Sequence, residues 1–81
     1  MESEQKRAIP HVRLRKLRMD AGMLQEDLET LSGIDQGYIS QIENGKAAPS
    51  LMTCFKLLRA FEKVGVKYTL NDLVEDDGGE Y

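Results

Sequence analysis

Between Gly33 and Gly45 the chain reads GIDQGYISQIENG, which leaves few folds open because a tight turn runs directly into a short helix with one apolar and one polar face. Gly33 permits the backbone excursion that a two-helix corner requires. Asp35 follows as an N-cap, its carboxylate placed to accept from the free N–H groups of the next turn. Tyr38, Ile39 and Ile42 then recur at helical spacing and form a buried stripe, which leaves Gln36, Gly37, Ser40 and Gln41 outward. Upstream, Gln25 to Ser32 carries a second short helical pattern with Leu28 and Leu31 on one face. The product is a pair of short helices meeting at a corner. Glutamine's amide holds a donor and an acceptor and pairs bidentately with adenine in the major groove, so the outward face of the later helix suits DNA reading.

Punctuation and period organise the rest. Met1 to Ile9 is a polar arm without periodicity. Pro10 stands where a first helical residue belongs, Leu14, Leu17 and Ala21 repeat on one face, and Gly22 ends that first helix. The second helix spans about 25–32 and the third 36–44. After the loop from Gly45 to Pro49, Ser50 is a cap for a fourth helix that turns Leu51, Cys54, Leu57, Leu58 and Phe61 inward and stops at Gly65. Two patterns compete in the last segment. Thr69 and Asp72 resemble a capping box opening a short helix with Leu70, Leu73 and Val74, while Val66, Tyr68 and Leu70 alternate like a strand. The helix is the preferred form. The expected organisation is an arm over 1–9, one domain over 10–75 and a frayed acidic tail over 76–81.

Composition bounds the function classes. A chain of 81 residues that is 41% hydrophobic can build one core. No apolar run approaches the span of a membrane helix and no signal-peptide pattern opens the chain, so a cytoplasmic protein without membrane contact is expected. The single cysteine, Cys54, allows no internal disulfide and fits a reducing compartment. One histidine and one cysteine without paired spacing argue against zinc, and neither metal nor cofactor is expected. A formal charge of -3 and a pI near 5.1 have the wrong sign for a polyanionic partner. The charge is polarised, however. Lys6, Arg7, Arg13, Arg15, Lys16 and Arg18 occur with no acidic residue among them, and Asp72, Glu75, Asp76, Asp77 and Glu80 close the chain with no basic one. A basic front can face DNA if the acidic end points away, with non-specific binding kept weak. Solvated surface is the simpler explanation of the acidic run and an equal one for the basic run.

Three segments in order, LRKLRMDAGMLQEDL, GIDQGYISQIENGK and PSLMTCFKLL, resemble the Cro/repressor-type helix-turn-helix family, also called the xenobiotic-response-element family, over about Leu14 to Phe61. The resemblance implies an all-α fold, a compact five-helix lambda-repressor-like DNA-binding domain whose second and third helices form the helix-turn-helix. It further implies a DNA phosphate contact at Gln25 and base contacts at Gln36, Gly37, Ser40 and Gln41. Gly37 lacks a side chain, so either the backbone approaches closely there or the contact is absent, and glycine within a helix costs about 1 kcal/mol relative to alanine. Asn44 and Lys46 match positions near the sugar-phosphate backbone, where contacts fix register without reading sequence, and Tyr38 belongs to the core with its hydroxyl at the rim, within reach of a phosphate. Arg18 and Glu43 match a largely buried ion pair between the first and third helices. Cys54 stands where the family usually has leucine, which implies a buried, inert thiol.

Two residues depart from the pattern. Leu24 replaces the usual Ser or Thr cap of the second helix, a loss of about 1 kcal/mol unless Leu24 packs as a hydrophobic staple. Glu29 replaces an alanine at the close approach of the two helices, where its carboxylate must run outward along the surface or meet a cation. The function implied is a sequence-specific, double-stranded DNA-binding transcriptional regulator, a repressor of prokaryotic or phage origin without catalytic activity. A homodimer on a two-fold symmetric operator is expected, with half-sites roughly 34 Å apart. Tyr68, Leu70, Leu73 and Val74 are the expected dimer interface, since they supply more apolar surface than a closing turn covers. The alternative is an antitoxin or adaptor of the same fold, whose C-terminal segment binds a partner protein such as a toxin.

Overall fold

A computed structural model of the chain describes residues 12–74, and within them the backbone forms five α-helices: α1 Leu14–Asp20, α2 Gln25–Ser32, α3 Gln36–Glu43, α4 Leu51–Lys63 and α5 Leu70–Leu73. The fold is all-α, as expected. The N-terminal arm, Pro10 and the acidic tail lie outside the described residues.

Helices α3, α4 and α5 each start where a side chain can satisfy their first N–H groups. Asp35 Oδ2 accepts from the backbone N–H of Gly37 at 2.9 Å and of Tyr38 at 3.3 Å, Ser50 Oγ accepts from Thr53 N–H at 3.1 Å, and Thr69 Oγ1 accepts from Asp72 N–H at 3.2 Å. Asp72 answers by accepting from Thr69 N–H at 2.8 Å, which completes a capping box and settles the last segment as a short helix. At α2, where Leu24 has no acceptor, Asp27 supplies the other half of such a box and accepts from Leu24 N–H at 2.8 Å. Leu24 itself is 60% exposed, so no hydrophobic staple forms. At the corner between α2 and α3, Gly33 sits at φ 78°, a left-handed conformation in which a side chain would be strained.

The inward faces of these helices meet in one core. Phe61, Leu14, Leu28, Ile39, Leu57 and Leu73 are fully buried there, with Leu17, Met23, Ile34, Ile42, Cys54, Leu58 and Ala60 around them. Helix α4 is central, packing on α2 on one side and on α5 on the other. Tyr68 closes the C-terminal side with its ring edge-on to Phe61 at 5.0 Å between centroids, an arrangement favoured by the ring quadrupoles. Its hydroxyl donates to the carbonyl of Leu17 at 3.4 Å.

Three expectations are corrected, one being Leu51, expected inward on α4 but 59% exposed in its first turn. The first helix begins at Leu14, because Val12 pairs with Val74 in an antiparallel bridge and Arg13 N–H donates to the carbonyl of Leu73 at 2.8 Å. Backbone groups that a longer helix would satisfy are spent on the C-terminal segment. For the same reason Leu73 is no dimer contact: it is 0% exposed inside the protomer's own core. Tyr68, Leu70 and Val74 are half-buried, with Tyr68 and Leu70 packed against that core. Leu73→Ala should therefore lower stability by about 2–5 kcal/mol, the usual cost of emptying a filled core position. Urea unfolding at several protein concentrations checks this: the loss should be the same at each, whereas a loss that grows on dilution would return Leu73 to an interface between protomers.

Candidate nucleic-acid interface

The outward face of α3 is the candidate surface. Gln36, Gly37 and Gln41 are exposed and Ser40 is half-buried, while Ile39 and Ile42 on the opposite side anchor the helix in the core. Its N-terminal end is fixed by carboxylates. Besides the Asp35 cap, Glu29 Oε2 accepts from the backbone N–H of Gln36 at 3.2 Å. This answers the problem Glu29 posed by a route the sequence did not suggest: neither outward along the surface nor onto a cation, but onto the first N–H of the next helix. Gly37 also has a local explanation. A Cβ there would stand 2.9 Å from Asp35 Oδ2, so glycine leaves room for the cap.

At the other end of α3, Glu43 buries its side chain completely and is held by several donors. Arg18 Nε donates at 2.6 Å to Oε2 and Arg18 Nη2 at 3.1 Å to Oε1, a two-pronged pair with a guanidinium whose side chain is only 12% exposed. Arg18 Nη1 donates to the carbonyl of Met23 at 2.9 Å and so ties the turn after α1 into the same unit. Gln25 Nε2 donates to Glu43 Oε1 at 3.0 Å, and Arg15 Nε lies 3.5 Å from the same oxygen. The ion pair implied by the resemblance is present and buried. Among the described residues no buried side-chain polar atom lacks a partner.

The donors expected to meet phosphate flank this helix. Gln25 bridges: its Oε1 accepts from Gln36 Nε2 at 3.5 Å while its Nε2 serves Glu43, so the phosphate-contact and base-contact candidates are joined. Asn44 and Lys46 are exposed just beyond the helix. Asn44 Oδ1 accepts from Arg15 Nη2 at 3.1 Å, a link to α1 that the sequence did not show, because it joins residues whose proximity only the packing of α1 on α3 creates. Tyr38 is half-buried against the core with its hydroxyl donating to the carbonyl of Ala48 at 3.4 Å. Cys54 is buried, and burial pushes its thiol up, away from the reactive thiolate.

Electrostatics follow from the geometry. Burial pushes the Glu43 carboxyl up, but hydrogen bonds from Arg18 and Gln25, the Arg18 charge and the Arg15 contact outweigh it and hold the group below its ordinary value. The Glu43 hydrogen bond raises the Arg18 guanidinium further, against the lowering effect of its own burial. A carboxylate with a depressed folded pKa contributes stability that is present above its unfolded pKa of about 4.3 and is lost as pH falls through the folded value. Wild type should lose this contribution on acidification below about pH 4.3, and Glu43→Gln should lack that limb in a stability-against-pH series. At neutral pH, Arg18→Met takes the two-pronged partner from a buried carboxylate, leaving only the exposed Arg15 at 3.5 Å, and should cost about 3–5 kcal/mol. A melting shift of only a degree or two for Arg18→Met would show the pair to be dispensable.

Comparison with known proteins places these features in a family. The helix-turn-helix family model matches residues 14–68. Over 45 residues, 56% of this chain and 58% of the relative, the sequence is 38% identical to the uncharacterized HTH-type transcriptional regulator y4dJ of Sinorhizobium fredii. Over 46 residues, 57% of this chain and 47% of the relative, it is 46% identical to an uncharacterized HTH-type transcriptional regulator of Haemophilus influenzae. The chain thus spans about half the length of the curated relatives it matches. The crystal structure of the restriction-modification controller protein C.AhdI from Aeromonas hydrophila superposes with a TM-score of 0.60 at 42% identity, covering 62% of this chain and 76% of that one. Because the matched span runs from the start of α1 to Tyr68 and contains the α2–α3 corner with the ion pair beneath it, this chain belongs to the Cro/C1-type helix-turn-helix family.

Proposed function

We propose that the protein is a sequence-specific, double-stranded DNA-binding transcriptional regulator that lays α3 in the major groove and represses by occupying its site. The observation that carries this is the anchored outward face of α3, with Gln36, Ser40 and Gln41 along it and side chains bearing N–H donors at both ends, the Gln25 amide at one and the Asn44 amide and Lys46 ammonium at the other. Base-edge readers between phosphate-binding donors are what a helix needs to lie in a groove in a fixed register. The relatives named as transcriptional regulators and the controller protein C.AhdI support the same process for this chain. The described residues contain no helix long and apolar enough to cross a membrane and no cluster of residues suited to hold a metal ion.

The regulator acts as a homodimer on a two-fold symmetric operator, since one small module buries limited surface on DNA and two half-sites multiply discrimination. With Leu73 committed to the core, the pairing surface is best sought on α4. Leu51, Met52 and Phe55 lie on one face by their spacing and remain exposed, Met52 by 64%. Such a row can pair with its own copy across a two-fold axis, and the partly exposed Tyr68, Leu70 and Val74 can add to it. The alternative, an antitoxin or adaptor whose C-terminal segment binds a partner protein, draws on the short apolar segment and the acidic tail after it, and the tail lies outside the described residues.

Selection of bound sequences from a random duplex pool tests the reading. A two-fold symmetric consensus is expected; no enrichment would overturn sequence-specific binding, and an enriched single half-site would overturn the dimer. On the selected site, Gln36→Ala and Gln41→Ala should each cost about 1–3 kcal/mol with little effect on random DNA. Lys46→Ala should weaken all duplexes alike. Equal losses on selected and random DNA for the glutamine variants would remove them as base readers.

A further inference from the structure

We infer that Arg15 is an additional DNA-backbone contact and that it sets the amide of Asn44 for the same task, an inference that rests on the DNA-binding function proposed above. Arg15 lies three residues before Arg18, on the same side of α1, and its guanidinium reaches across to the C-terminal end of α3. There it meets a carboxylate whose charge is already taken. Glu43 is bound by Arg18 at 2.6 and 3.1 Å, whereas Arg15 stands 3.5 Å away with its side chain 55% exposed. Two guanidiniums share one carboxylate, so the cluster carries one positive charge in excess, and Arg15 is the member that presents it to solvent beside Asn44 and Lys46.

The hydrogen bond to Asn44 has a second effect. With Oδ1 held by Arg15 Nη2 at 3.1 Å, the Asn44 amide is turned so that its Nδ2 donor points away, restrained only by a 3.4 Å contact to Ser40 Oγ. The opposite amide orientation would set N–H against a guanidinium, which has no acceptor. Arg15 therefore keeps the donor end of Asn44 available, the polarity that a phosphate oxygen requires, while its own fork retains N–H groups beyond the two used here. A purely structural role, a cation stabilising the C-terminal end of α3, is the competing explanation.

Titration of the full chain on random and selected duplexes across a salt series separates the two. Arg15→Gln should lower affinity on both duplexes several-fold and flatten the slope of log affinity against log salt by about 0.9, the share of one phosphate contact. Arg15→Lys should keep the slope, and the melting temperature of both variants should stay near wild type. Arg15→Gln and Asn44→Ala combined should lose less than the product of the single fold-changes, because Arg15 acts partly through Asn44. An unchanged slope for Arg15→Gln while Lys46→Ala flattens its own would overturn the inference and leave DNA binding standing. If wild-type affinity itself shows no salt dependence, DNA binding fails and the inference with it.

Discussion

Glu43 is the constraint around which the molecule is arranged. A carboxylate fully removed from water is tolerable only when donors surround it, and here they come from three places: Arg18 and Arg15 on α1 and Gln25 at the start of α2. The donors are charged or rigidly held, so their directions fix how α1 crosses the end of α3 and where α2 begins. Ile39 and Ile42 then press the same helix into the core from the apolar side. A helix fixed on one face by burial and at its end by a charge network keeps its remaining face in one orientation. Reading DNA demands that rigidity, because a base-edge contact is lost when a side chain is displaced by about an ångström.

The network also joins residues with separate tasks. Gln25, a proposed phosphate contact, bonds to both Glu43 and Gln36, and Arg15 bonds to Asn44. On the proposed function, backbone anchoring and base reading are thus connected through the Glu43 carboxylate. The N-terminal end of the reader helix is as tightly held: Glu29 and Asp35 take the N–H groups of Gln36, Gly37 and Tyr38. Those N–H groups are bonded within the protein, which leaves recognition to the side chains.

Local signals were legible in the sequence and distant pairings were not. Asp35, Ser50 and Thr69 could be recognised as caps because each acts within its own helical turn, and the Gly33 corner because its conformation is a property of glycine. The Arg18–Glu43 pair was accessible only through resemblance, since nothing in the spacing of the two residues announces that they meet. The start of α1 and the burial of Leu73 escaped for one shared reason: the two ends of the described chain bond to each other through Val12 and Val74, an outcome of the closed fold. Glu29 looked like a misfit for an equally physical reason. Its partner is a backbone N–H across the corner, and backbone groups leave no mark in side-chain patterns.

The most direct test of a structure organised around a buried carboxylate is the double variant Arg18→Met with Glu43→Leu, measured for both stability and discrimination between selected and random DNA. Removing both charges together relieves the stranded-ion penalty of either single change, so stability should recover toward or beyond wild type. Discrimination should nevertheless fall, because Gln25, which holds the base-reading candidate Gln36, loses the oxygen that positions it. A stable double variant that discriminates as well as wild type would contradict the role assigned to Glu43.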